Sequence, residues 1–271
     1  MGAHKVTLAS GLQLHYHDTG TGEPVVFIHG SGPGASGHSN FKHNYPAFAA
    51  AGLRAIVPDL PGYGASDKPE TAYTLDFFVE ALLGLLDTLD IQRCALVGNS
   101  LGGAIAIAIA LRHPERVARL IVMAPGGLME KSQYYLQMEG IQRMAAAFAS
   151  GELRDAVGMK RLLGLQLFDP SLIDDDTVAE RVAVVAEQPA CVLSTMEVPN
   201  MAEQIGRLGC PILGFWGMND KFCPASGAQT MMQACQQIRF VLLSECGHWV
   251  MVEHRELFNR ECLAFLAEGR P

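Results

Sequence analysis

The 271-residue sequence lacks any uninterrupted apolar run of the ~18 residues that a membrane-spanning helix needs. Its longest candidate, Leu101 to Leu111, is closed off by Ser100 and Arg112 and reads as a helix buried on every side. Near Met1, His4, Lys5 and Thr7 there is no apolar stretch of signal-peptide length, so a cytoplasmic setting is expected. The seven cysteines (94, 191, 210, 223, 235, 246 and 262) contain no Cys-x-x-Cys pair. Their odd number and scatter fit reduced thiols and argue against a zinc site. Basic residues are not clustered, and 20 Lys and Arg against 28 Asp and Glu leave a net charge of -8. Nonspecific nucleic-acid binding, which rests on phosphate neutralisation, is therefore not expected. Charged residues make up only 18% of the chain and hydrophobic ones 49%, which excludes disorder. There is no internal repeat and no low-complexity segment.

What is present is an alternation of short apolar strands and helices. The length fits one large domain or one domain with an insertion. Lys5 to Asp18 alternates around Ser10-Gly11, which predicts a β-hairpin. Strands follow at Val25–Ile28, Ala55–Val57, Ala95–Val97, Leu120–Met123, Ile212–Trp216 and Arg239–Leu243. Helices are expected at Leu75–Leu89, Leu101–Leu111, Ala225–Ala234 and from Glu253 onward. This is the pattern of an α/β fold: a mostly parallel, eight-stranded sheet with helices on both faces. From about Leu128 to Arg207 only helical patterns occur, at Gln133–Phe148, Leu153–Leu167, Asp174–Glu187 and Cys191–Met196. The expected organisation is an α/β core, 1–127 and 208–271, interrupted by a helical cap, 128–207. Asp174-Asp175-Asp176 reads as a helix start rather than a metal site.

The strongest chemical signal is Gly98-Asn99-Ser100-Leu101-Gly102, set between a strand and a helix. This is a G-x-S-x-G nucleophile elbow, in which a serine sits on a turn too sharp for side chains two residues away. The other reading of Ser100 is a plain helix N-cap beside packing glycines. A nucleophilic serine needs a base. In the order Ser, acid, His, the late histidines are His248, in Cys246-Gly247-His248-Trp249, and His254 beside Glu253. His248 is the better candidate, because a glycine-bearing loop can approach the serine, whereas His254 reads as a surface residue. Asp220, after the preceding strand in Trp216-Gly217-Met218-Asn219-Asp220, is the expected acid; Glu245 is weaker because it shares the loop of His248. Backbone N–H groups of Leu101 and Ser31 are the expected oxyanion donors, the latter on the loop His29-Gly30-Ser31-Gly32-Pro33-Gly34. That loop lacks the Lys-Ser/Thr ending of a phosphate-binding P-loop.

Together these residues resemble the α/β-hydrolase superfamily over essentially the whole chain. The finer resemblance is to the meta-cleavage-product hydrolases, carbon–carbon bond hydrolases of bacterial aromatic degradation. It rests on the stretch from His29 to Asn40, on Gly98 to Gly103, His113 to Val117 and Cys246 to Trp249, and on the cap's Leu167 to Ile173, Arg181 and Glu187-Gln188-Pro189. The resemblance implies a 2-hydroxy-6-oxohexa-2,4-dienoate substrate, a vinylogous 1,5-diketone with a carboxylate at one end. It implies Arg181 at the carboxylate or the 2-oxo group, with Asn40, Asn99 and Trp249 around the same head. It also implies no metal or organic cofactor, a small anionic substrate as partner, and a homo-oligomer. On the residues alone, Arg181 could instead be an exposed cap residue paired with Glu187 or the Asp174 cluster. Asn40 could equally cap or turn, and Trp249 could pack a core.

The chain departs from the family's pattern at His38, where an aromatic residue is usual, and at Ala104, which is polar in some members. Met129 to Phe148 also departs from it, and these positions bear on the substrate's tail. His38 reads as a surface loop histidine or a substrate contact. The alternative function is a carboxylesterase or thioesterase on the same triad. A ligand-binding receptor with a vestigial site is a third reading, which the intact Ser-Asp-His set disfavours.

Overall fold

The computed structural model describes residues 2–268. Eight strands form one sheet: β1 (Gly2–Thr7), β2 (Gln13–Thr19), β3 (Pro24–Ile28), β4 (Arg54–Pro58), β5 (Cys94–Asn99), β6 (Val117–Met123), β7 (Ile212–Gly217) and β8 (Ile238–Leu243). Their spatial order is β1-β2-β4-β3-β5-β6-β7-β8. The hairpin pair β1 and β2 is antiparallel, as is β2 with β4, and every other pairing is parallel. Each strand expected from the sequence is present.

The central strands are apolar throughout because both their faces are covered. Val26, Ile28, Leu96, Leu120, Val122 and Ile212 point to one face, against the helices Leu75–Thr88, Leu101–Arg112 and Ser226–Ala234. Val25, Phe27, Val97, Ile121, Met123, Leu213 and Phe215 point to the other, against Tyr45–Ala50 and Arg255–Ala267. In the helix Leu101–Arg112 every residue from Leu101 to Ala110 is buried. Each of its isoleucines, removed from water, contributes about 1.5–3 kcal/mol. A polar residue at Ile107 would break that packing.

Between β6 and β7 the chain is helical: Lys131–Gln137, Glu139–Ser150, Ala156–Gly164, Asp175–Ala186 and Cys191–Ser194, with short 3-10 turns between. One bridge, Thr74 to Glu197, touches this segment's end. Leu153, Met159, Leu162, Leu167, Val178 and Val185 join the apolar cluster that also holds Trp249 and Met251. Asp174 is the N-cap of Asp175–Ala186 and accepts from the Thr177 N–H, as the acidic run predicts.

Three helices differ from expectation. The continuous helix over Gln133–Phe148 is broken at Met138, whose φ of -108° and ψ of 108° are extended. There the Gly140 N–H donates to the Lys221 carbonyl at 2.8 Å, and a Cβ on Gly140 would press against Lys221 and Phe222. The expected helix Leu153–Leu167 is shortened to Ala156–Gly164, because Asp155 caps it by accepting from the Gly158 N–H at 2.8 Å. The closing helix begins at Arg255, after a separate turn Val250–Glu253.

Candidate active site

Ser100 joins β5 to the helix behind it with φ +55°. A non-glycine residue there carries about 1–3 kcal/mol of strain. Its surroundings hold it in place: the Ser100 N–H donates to Met123 O at 3.0 Å, and its carbonyl accepts from Ala104 and Gly126 N–H. A Cβ on Gly98 would run into the Gly102 carbonyl, and one on Gly102 into the Ile28 carbonyl. The sharp turn therefore requires glycine at both positions.

His248 lies on the loop after β8, with its side chain buried. Its Nδ1 is 2.6 Å from Asp220 Oδ2, and the other carboxylate oxygen accepts from Phe222 N–H at 2.7 Å and Cys223 N–H at 3.0 Å. A carboxylate so held accepts the Nδ1 proton, which leaves Nε2 as the basic nitrogen. The loop is anchored from the helical segment. Gln166 O accepts from His248 N–H at 2.7 Å and from Trp249 N–H at 3.2 Å. Glu253 adds a second tie: one oxygen accepts from Gly247 N–H at 2.6 Å, the other from Phe168 N–H at 2.6 Å and Asp169 N–H at 3.1 Å.

The Ser31 loop is held through its peptide planes. His29 is fully buried; its Nδ1 donates to Gly30 O at 2.8 Å, and its Nε2 accepts from Leu60 N–H at 3.0 Å. Burial lowers its pKa to about 4, so the ring is neutral. The Gly30 carbonyl and the Ser31 N–H belong to one peptide, and fixing the first directs the second the opposite way. Tyr63 OH donates to Ser31 O at 3.2 Å and fixes the next plane. Among the described residues neither the Ser31 nor the Leu101 N–H donates a backbone hydrogen bond.

Arg181, on the helix Asp175–Ala186, is 1% exposed. Its Nη2 donates to Asn40 Oδ1 at 2.5 Å, and its Cζ lies 4.8 Å from the Trp249 ring centroid. Nε has no partner, and among the described residues the guanidinium makes no ion pair with a carboxylate. Burial lowers its pKa to about 10, which still leaves it charged at neutral pH. Asn40 is set by the short helix Gly37–Phe41, capped by Ser36 and Ser39. Asn99, the last residue of β5, donates to the Met123 and His248 carbonyls, each at 3.4 Å, while its Oδ1 is buried and unpartnered.

Two adjoining cavities meet at Ser100 and Ser31. The inner one, about 20 Å³, brings together Asn40, Asn99, Gln166, Arg181, His248 and Trp249. The outer one, about 140 Å³, is walled mainly by Leu101, Tyr134, Ile141, Met144, Met196 and Phe222. Asp220 stands behind His248, and every other residue assigned a role in the reaction from the sequence lines one of the two cavities.

The alternatives left open by the sequence do not fit the packed structure. Arg181 is not a surface residue: Asp174 pairs instead with Lys42 at 3.2 Å and His43 at 3.7 Å. Glu245 is exposed, and the carboxylate on His248 is that of Asp220. His38 lines neither cavity; its Nδ1 is 3.0 Å from Tyr45 OH, and its ring lies 5.1 Å from that of His17. Sequence reasoning missed Gln166, Glu253 and His29 as parts of the site. It also missed Cys223, a buried thiol that lines the outer cavity with Ser100 and whose pKa burial raises well above its ordinary value. No local pattern marks the first two, because their partners lie about 80 residues away in the chain.

A family model described as the alpha/beta hydrolase fold matches residues 23–255. The 2-hydroxy-6-oxo-6-phenylhexa-2,4-dienoate hydrolase of Burkholderia cepacia is 36% identical over 96% of this chain and 93% of its own. The 2-hydroxy-6-oxononadienedioate/2-hydroxy-6-oxononatrienedioate hydrolase of Comamonas testosteroni is 36% identical with the same two coverages. Among solved structures, a meta-cleavage product hydrolase from Pseudomonas fluorescens IP01 superposes with a TM-score of 0.86 at 30% identity, covering 98% of both chains.

Proposed function

Because this chain belongs to the α/β-hydrolase family and, within it, to the meta-cleavage-product hydrolases, we propose that it cleaves a carbon–carbon bond in a 2-hydroxy-6-oxohexa-2,4-dienoate. The observation that carries the reading is Arg181: a buried guanidinium without a carboxylate partner, in the same small cavity as Ser100 and His248. A simple esterase has no use for a buried, uncompensated cation, which is costly without an anion. An anionic head supplies that partner.

Of the described residues, 2–127 and 208–268 serve as the catalytic core, and 128–207 as the lid over both cavities. The dienoate carboxylate lies against Arg181, with Asn40 and Asn99 around the same polar head and Trp249 as a wall. Ketonisation moves a proton off the 2-hydroxyl and brings one to C5, creating an electron sink. His248, oriented by Asp220, then takes a proton from Ser100 or from a water, and the oxygen adds to the C6 ketone. The Ser31 and Leu101 N–H groups hold the resulting oxyanion. Its collapse breaks the C5–C6 bond, and the electron pair passes through the conjugated chain to the 2-oxo group. Across the turnover one water supplies OH to C6 and H to C5, giving a carboxylic acid and a 2-hydroxypentadienoate.

The chain itself supplies nucleophile, base and oxyanion donors, so the reaction as drawn calls for no metal or organic cofactor. The tail occupies the outer cavity, whose mainly apolar wall suits aryl or alkyl groups. Seven unpaired cysteines favour a reducing, cytoplasmic setting. No helix among the described residues is long and apolar enough to cross a membrane. The test is optical: yellow ring-fission dienolates with alkyl, phenyl and acidic tails are offered to the enzyme and to Ser100→Ala. Bleaching that depends on Ser100 supports the reading. Rapid ester turnover without bleaching favours the carboxylesterase instead.

A further inference from the structure

Gln166 follows the helix Ala156–Gly164 and is 3% exposed. Its main chain is committed, since its carbonyl accepts from the His248 and Trp249 N–H groups. Its side chain is not. It lines the inner cavity with Ser100, His248, Asn99 and Arg181, and its buried Oε1 has no hydrogen-bond partner among the described residues. An unpaired buried amide oxygen costs about 1–3 kcal/mol. An apolar residue would avoid that cost, so an amide here calls for a polar ligand.

We propose that Gln166 is a substrate-binding residue that hydrogen-bonds to the C2 oxygen of the dienoate head. The assignment rests on the dienoate reading above. The carboxylate accepts hydrogen bonds only, so it belongs with Arg181, and a carbonyl oxygen facing it would be repelled. The 2-hydroxyl is the one donor on the substrate's reacting frame, and Gln166 Oε1 is an acceptor beside it. Asn99 also has a free oxygen, but its Nδ2 is tied to two carbonyls, which fixes its direction. Among the described residues no such bond holds the Gln166 amide, and its terminal torsion is soft. Oε1 accepts from the 2-hydroxyl of the dienol; once that proton has left, as in the dienolate or the keto form, the amide turns and Nε2 donates to the C2 oxygen. One side chain thereby pairs with the head on both sides of the tautomerisation. The cavity is small, about 20 Å³, so a head entering it touches Gln166.

The experiment is stopped-flow spectroscopy of the full chain with a phenyl-tailed dienolate and a small aryl ester that lacks the head. Gln166→Leu is expected to lower kcat/KM for the dienolate about tenfold more than for the ester, the value of one hydrogen bond to a charged or polarised head. The loss should fall on the first optical phase, ketonisation. Gln166→Glu, which adds a carboxylate facing the substrate's own, is expected to lose about a hundredfold. Equal losses on both substrates, or unchanged dienolate kinetics in Gln166→Leu, would overturn the assignment while leaving the function intact. Wild-type enzyme that bleaches no dienolate would overturn both.

Discussion

The Arg181 guanidinium lies 4.8 Å from the Trp249 ring centroid, and Trp249 immediately follows His248. The proposed cation for the substrate's charged end thus packs on the residue next in sequence to the proposed base for its reacting end. Arg181→Gln is expected to raise KM for dienolates about a hundredfold, with a smaller effect on esters. Arg181→Lys should recover only part of this, because an ammonium cannot form the planar fork. Steady-state kinetics on both substrates check the split.

Asp220 accepts from His248 Nδ1 with one oxygen and from two backbone N–H groups with the other. Asp220→Asn preserves the size but presents an amide to Nδ1 and disfavours the productive tautomer. A fall in kcat of about 10³–10⁴ with little change in KM is expected, from the general behaviour of such triads. A fall below tenfold would remove Asp220 from the role.

Glu253 is read from sequence as an ordinary helix residue, yet it ties Gly247 to Phe168 and Asp169. Glu253→Ala leaves those N–H groups without their acceptor. Hydrogen exchange at 166–169 and 247–249 should accelerate together, and kcat should fall about tenfold through misplacement of His248. Protection unchanged in either segment would count against the coupling.

His29 makes stability depend on pH. Its pKa is about 4 when folded, because burial disfavours the charged ring, against an ordinary value of 6.5 when the chain is unfolded. The unfolded chain therefore binds one more proton between these values, and stability is lost as pH falls from 6.5 toward 4. The contribution is about 3 kcal/mol and is complete above the unfolded value. His29→Gln should flatten that slope by close to one proton in urea titrations at several pH values. An unchanged slope would refute the assignment.

Ile141 lines both cavities. Replacing it with Phe narrows the route from the serine to the tail space. Phenyl-tailed dienolates should lose about tenfold more in kcat/KM than methyl-tailed ones. Equal losses would show that the tail lies elsewhere.

The strands were legible because each central one is an apolar run covered on both faces, and the elbow because its strand, glycines and helix are contiguous. The break at Met138 was not, since the periodicity of Gln133 to Phe148 stays helical. What interrupts it is the Lys221 carbonyl, which captures the Gly140 N–H from a distant part of the chain. Arg181 was ambiguous for a related reason. On one helix its acidic neighbours look like surface partners, and only the packed structure turns them toward Lys42 and His43. Gln166 holds the His248 loop through its own main-chain carbonyl, and the partners of the Glu253 carboxylate are backbone N–H groups, so residue type marks neither contact.

The Gln166 carbonyl and the Glu253 carboxylate have a consequence for engineering. Exchanging segment 128–207 with that of a relative, to import a new tail preference, would leave the His248 loop docked on foreign backbone. Such chimaeras should work only when 246–253 travels with the graft, so the unit of exchange in this enzyme is discontinuous in sequence.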